Sequence, residues 1–208
     1  DHIAIGRNTR AHLLDKILYV MKKRPSIDFI KDRASNMLKV RKPKNELALA
    51  LGVDPARMRA KQHNIEHHKS HQASAYFASG YDESAVISVD GFGDFVGAMW
   101  AVGQGNKMTP IKRVGFPHSM GLFYSGMTQY LGFPRFGDEY KVMGMAAYGE
   151  PDEKLMAKMR KVVHLTDDGG FELGLEYFQH HTKGIAMTWV GEPRYDRIFS
   201  DKLIELFG

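Results

Sequence analysis

The chain has 208 residues, 43% of them hydrophobic, a net charge of +5 and no cysteine. Disulfides and thiolate metal sites are therefore excluded, so a metal must be held by His, Asp or Glu. No stretch approaches the roughly 20 apolar residues of a membrane span and nothing at the start resembles a signal peptide, so a cytoplasmic protein is expected.

The charge is uneven, with +9 in residues 1–62 and −4 in the remainder. A basic front suits phosphate-bearing ligands or nucleic acid, but basic residues alternating with apolar ones also describe a solvated helix face.

"DHIAIG" reads as an opening strand. Asn8 or Thr9 can cap a helix from about 10 to 23, with Leu13, Leu14, Ile17, Leu18 and Met21 as its apolar stripe. A second helix is expected from Pro25–Ser26, and a third in "KNELALALG", closed by Gly52. Farther on, "SAVISVD" is a strand, "GFGD" a turn and "FVGAMWAVGQG" a second strand, which together make a hairpin, and "KMTPIKRVGF" adds a third strand. "SMGLFYSGMTQYLGF" is helical by period, with Met120, Phe123, Met127, Tyr130 and Leu131 inward. "EYKVMGMAAYG" and "DEKLMAKMRKVVH" supply two more helices, and the end, "RYDRIFSDKLIELFG", is amphipathic.

The chemistry gathers in "EHHKSHQASAYFASGYDESAVISVDGFGD". On a helix, His67 and His71 share one face at the spacing two imidazoles need to hold one metal, while His68 points about 100° away. Asp90 ends an apolar run, at the carboxyl end of a strand, where open α/β sheets place ligands. Two imidazoles and a carboxylate suit a divalent ion such as Fe²⁺ or Mn²⁺. Gly91 and Gly93 would let backbone amides approach a phosphate. A plain hairpin turn with an aspartate at its mouth explains the same residues, and both readings stay open. In "GDEYKVMG", Asp138, Glu139 and Lys141 stand at a helix start, which the residues alone favour as a capping arrangement with a charged first turn.

Three long motifs occur in order: the stretch just quoted, "FPHSMGLFYSGMTQYLGFPRFGDEYKVMGMAAYGEP" and "GGFELGLEYF". Together they resemble the ATP-dependent O-carbamoyltransferases of the nodulation-factor and antibiotic-biosynthesis type. The resemblance implies an α/β fold, part of a domain of the actin-like ATPase and sugar-kinase (ribonuclease H-like) superfamily with a helical insertion. It also implies carbamoyl phosphate and ATP as co-substrates, carbamoyl-adenylate as intermediate, and a hydroxyl of a sugar or natural product as acceptor. His67, His71 and Asp90 fall on the family's metal positions, with Fe²⁺ the first candidate. Gly91, Gly93, Asp138, Glu139 and Lys141 fall on the nucleotide side, and no residue is assigned to catalysis.

The family's first phosphate loop and its carboxyl-terminal half have no counterpart here. The chain therefore reads as an interior piece, truncated at both ends and inactive alone, with residues 1–62 a basic helical insertion and 63–208 a partial nucleotide- and metal-binding domain. Its expected partners are small-molecule substrates, with no membrane, with nucleic acid disfavoured, and with a homo-oligomer or self-association through surface that truncation exposes. Two alternatives stand beside this reading: a basic module gripping nucleic acid or an acidic partner, and a His/Asp metallohydrolase.

Overall fold

A computed structural model of the chain describes residues 1–23, 25, 43–185, 187–188 and 193–208. The helix expected from Pro25–Ser26 lies outside the described residues. The fold is mixed α/β, and no described helix is long and apolar enough to cross a membrane. Strands β3 (Glu83–Gly93), β4 (Val96–Gln104) and β5 (Lys107–Gly115) neighbour one another in that order, joined by two-residue turns. The hairpin and the third strand are thus present. One expectation is corrected: Gly91 and Gly93 belong to β3, and the turn is Asp94–Phe95, both left-handed at φ 51° and 79°. The chain divides into two compact units, and the strands of this sheet contribute to both.

The first unit comprises Asp1–Ser88, Gly93–Phe95 and Ala101–Pro110. Its opening strand β1 (His2–Ile5) pairs in parallel with β2 (Lys61–Asn64), Ile3 opposite Gln62. The sequence reading had no strand at "KQHN". Helices α1 (Leu13–Lys23) and α2 (Pro43–Ala50) form where expected, and Gly52 follows at φ 65°. The apolar stripe of α1 is not the face that is covered, since Leu13, Leu14, Ile17, Leu18 and Met21 are all exposed and Tyr19 is the buried residue of the helix.

Helix α3 (His67–Ser79) is held to the sheet by a face with little aliphatic character. His68, Gln72 and Tyr76, spaced by four, are all buried. His68 Nδ1 lies 2.8 Å from the Ser88 hydroxyl, and the Gln72 amide donates to the Val86 carbonyl at 3.4 Å. Tyr76 packs with Val86, Ala101 and Met108, and its hydroxyl sits between the carbonyls of Asp82 (3.0 Å) and Gly105 (2.9 Å). Each of these three buried side chains thus makes a hydrogen bond to the sheet or its turns, in keeping with the cost of burying polar groups unpaired.

The second unit comprises Val89–Phe92, Val96–Trp100 and Ile111–Gly208. Helix α4 (Met120–Tyr130) starts at Ser119, whose hydroxyl accepts the Leu122 N–H at 3.1 Å. The main core gathers Leu122, Met127, Val162, Leu173, Phe178, Ile198 and Leu203. Of the side chains expected inward on α4, Met127 is buried, Phe123 and Tyr130 pack on this core, and Met120 packs on a smaller cluster of Ala98, Val114 and Phe171. Leu131 is exposed, because the helix has ended and the chain turns outward there. Helices α5 (Glu139–Ala146), α6 (Glu153–Val162), α7 (His180–Lys183) and α8 (Asp201–Phe207) follow. The antiparallel pairs β6 (Val163–Leu165) with β7 (Phe171–Leu173), and β8 (Met187–Thr188) with β9 (Arg194–Tyr195), complete the unit.

Candidate metal centre

In the first unit the site grows from the start of α3. A helix leaves its first N–H groups without internal partners. Glu66 accepts two of them, from His68 (3.2 Å) and Lys69 (2.8 Å). The His67 N–H is taken by Asp94, whose Oδ2 lies 2.9 Å away and also accepts the Asn8 N–H at 2.7 Å. With its backbone fixed at both sides, the His67 ring points its Nδ1 at the Gly6 carbonyl, 3.3 Å away. A carbonyl can only accept, so the proton belongs on Nδ1 and the Nε2 lone pair is left to face His71. The two Nε2 atoms are 3.0 Å apart, with ring centroids at 4.5 Å and planes at 84°.

The glycine at 93 has a steric cause. A Cβ there would lie 1.8 Å from His67 Cδ2, so only glycine leaves room for the imidazole. His68 stays apart from the pair, fully buried against Ser88, as its angle on the helix predicts.

In the second unit Asp90 accepts the Gly91 N–H on Oδ1 at 2.6 Å, and its carbonyl accepts the Ser119 hydroxyl at 2.8 Å. Helix α4 comes so close here that a Cβ on Gly121 would meet the Gly91 nitrogen at 2.5 Å. The α5 trio is largely engaged with protein. Asp138 stands at the cap position but in helical conformation, and its side chain makes no cap bond. Instead its carboxylate accepts the Arg135 N–H (3.0 Å) and pairs with Lys141 (2.5 Å), the Lys141 contact being the main reason its pKa lies below the usual range. The Ser125 hydroxyl donates to Glu139 at 2.5 Å. Tyr195, unnoticed in the sequence, has its phenol pushed up to about 12, first by burial and then by the charges of Glu139 and Asp90.

Chemically, the His67–His71 pair could supply half of a metal shell. Its inner ring nitrogen is fixed by a backbone carbonyl, an arrangement that metal-binding imidazoles share. Asp94 is the residue the sequence reading missed. Its signal was only a carboxylate in a turn, and nothing local indicates that the turn meets a helix start 27 residues earlier.

The family profile described as "Carbamoyltransferase N-terminus" matches residues 11–201. The chain is 46% identical over 123 residues to an uncharacterized protein of Synechocystis, a match covering 59% of this chain and 20% of that protein. It is 38% identical over 124 residues to the nodulation protein NolNO of Sinorhizobium fredii, over 60% of this chain and 17% of that one. To the nodulation protein NolO of Bradyrhizobium diazoefficiens it is 41% identical over 114 residues, over 54% and 20% respectively. The chain thus matches at most 20% of the length of these relatives.

Proposed function

Since the chain belongs to the carbamoyltransferase family, matching its N-terminal part, we propose that it contributes the metal and nucleotide face of an ATP-dependent O-carbamoyltransferase. In this reading ATP, carbamoyl phosphate and one water give carbamoyl-adenylate, pyrophosphate and phosphate. A hydroxyl of a sugar or natural product then takes the carbamoyl group and AMP leaves. The surrounding fold is proposed to be part of an actin-like ATPase domain, with residues 1–62 as its basic helical insertion.

The observation that carries the reading is the orientation of His67. Its Nδ1 is occupied by Gly6, and its Nε2 stands 3.0 Å from the Nε2 of His71. A protein with no use for the pair has no need to seat one imidazole in the space a side chain at position 93 would fill. Asp90, on the same strand as Gly93, is proposed as the third ligand. The donor set of two imidazoles and a carboxylate fits a divalent ion, with Fe²⁺ first. When bound, such an ion would neutralise charge on phosphate oxygens.

The protein's own groups have separate tasks. His67 and His71 bind through neutral Nε2 atoms, so binding requires both to be unprotonated there. The backbone of Gly91 and Gly93 is proposed to approach the phosphates. Asp138, Glu139 and Lys141 are proposed to meet the nucleotide, with Lys141 as a phosphate-seeking cation already held at one side by Asp138.

Calorimetry with Fe²⁺ under anaerobic conditions, or with Mn²⁺, tests the reading. We expect saturable one-site binding that His71→Ala removes. Equal affinity for the wild type and His71→Ala would sink it.

A further inference from the structure

The turn between β3 and β4 is built in an unfavourable way. Asp94 and Phe95 both hold left-handed backbone angles, φ 51° and 79°, with no glycine at either place. Turns with positive φ at both central residues favour Asn-Gly or Asp-Gly, and a bulky residue at the second position is strained. Strain of this kind persists only where the surroundings enforce it.

The surroundings do enforce it. The Phe95 ring meets Tyr19 of α1 edge-on, centroids 5.6 Å apart. Asp94 Oδ2 accepts two backbone N–H groups from distant parts of the chain, Asn8 and His67. The Asn8 side of this node is itself braced, because the Lys16 ammonium donates to the carbonyls of Thr9 (3.1 Å) and Ala11 (2.7 Å).

We infer that Asp94 is a positioning residue for the His67–His71 pair. Among the contacts of His67, two bear on its orientation from this side: its backbone, through its own N–H, and the Gly6 carbonyl that receives Nδ1–H. One carboxylate oxygen holds both, since it binds His67 directly and binds Asn8, two residues after Gly6. Glu66 serves the N–H groups of His68 and Lys69, and Asp94 serves that of His67 itself. What it adds is a tie between the helix start and the Gly6–Asn8 loop, which fixes the tautomer that leaves Nε2 facing His71. A charged acceptor on two N–H donors is a strong form of hydrogen bond.

The inference rests on the metal reading above, and the experiment separates the two. Wild type, Asp94→Ala and Asp94→Asn are compared by ¹⁵N NMR of the histidine rings and by calorimetric titration with Co²⁺. Wild type is expected to show His67 as the Nδ1–H tautomer. Asp94→Ala is expected to mix the His67 tautomers, leave the His68 signals in place and weaken Co²⁺ binding about tenfold or more. Asp94→Asn, which still offers an oxygen to both N–H groups, restores most of the tautomer and the affinity. If Asp94→Ala does not fold, Asp94→Glu takes its place. Its displaced carboxylate is expected to mix the tautomers and weaken binding, and wild-type values for it overturn the inference. The same holds for an Asp94→Ala protein with an unchanged His67 tautomer. A wild type that binds no Co²⁺ defeats the metal reading, and the tautomer shift then decides the role of Asp94 alone.

Discussion

His180 has a different fate from the exposed histidines. It is 1% exposed, its Nε2 lies 2.8 Å from the Pro117 carbonyl, and its ring stands among Phe92, Phe116, Phe178 and His181. Burial pushes its pKa down to about 4 from the ordinary 6.5. The folded protein therefore refuses a proton that the unfolded chain accepts below about pH 6.5. The resulting stability is fully present above the unfolded value and is lost as pH falls toward 4, a loss of about 3 kcal/mol at 1.36 kcal/mol per unit. Urea unfolding across pH 7 to 4 should show this slope, and His180→Gln should lose that share of it. A slope identical in the two proteins would mean the ring does not resist protonation. Residue-scale chemistry in the sequence was legible where spacing encodes it. The His67–His71 pair follows from a period of 3.6, whereas Asp94 and Tyr195 act through partners far away in the chain, which no local pattern announces.

At the scale of elements, α4 and β3 meet through bare backbone. A Cβ on Gly121 would lie 2.5 Å from the Gly91 nitrogen and 2.8 Å from the Asp90 oxygen, and backbone atoms cannot step aside. Gly121→Ala is therefore expected to destabilise by roughly 1–3 kcal/mol, overpacking outweighing the gain in helix propensity. Gly144, in α5, has nothing within 4 Å of the added carbon. There the same change should stabilise by up to about 1 kcal/mol. Thermal melts of both variants give the two signs, and equal signs would refute the packing argument. The contrast between α1 and α3 shows why elements were found more readily than their orientation. The apolar period located α1, yet its stripe is exposed, because the period reports helix and not which neighbour covers it. In α3 the buried face is His68, Gln72 and Tyr76, which a search for aliphatic spacing passes over. The strand at "KQHN" is missed for the same reason, since polar residues in a parallel pair show no alternation.

For the molecule as a whole, the two units differ in how much core their described residues hold. The first has Tyr76, Val86 and Ala101, with Met108 against them, and leaves the α1 stripe outside. The second has a seven-residue cluster including the fully buried Val162, Ile198 and Leu203. Local opening costs least where few apolar contacts must be broken. Native-state hydrogen exchange should therefore find the amides of α1 exchanging early and those around Val162 and Leu203 last. A reversed order would show that the small core of the first unit carries more stability than its composition suggests.

The parallel pairing of β1 with β2 has a consequence for the lengths this chain tolerates. Ile5 and Asn64 are paired, so residues 6 to 60, which hold most of the basic excess, form one closed excursion between Ile5 and Lys61. The entropy of closing such an excursion rises only with the logarithm of its length, about 0.6 kcal/mol for each doubling. Nearly all of that cost is already present in a crossover of this size, and adding or removing a dozen residues far from its ends changes it little. The ends do not share this freedom, for Gly6 and Asn8 at one edge serve His67 and Asp94. Related chains are thus expected to differ in the middle of this excursion by whole helices while keeping its first few residues fixed in step with the histidines.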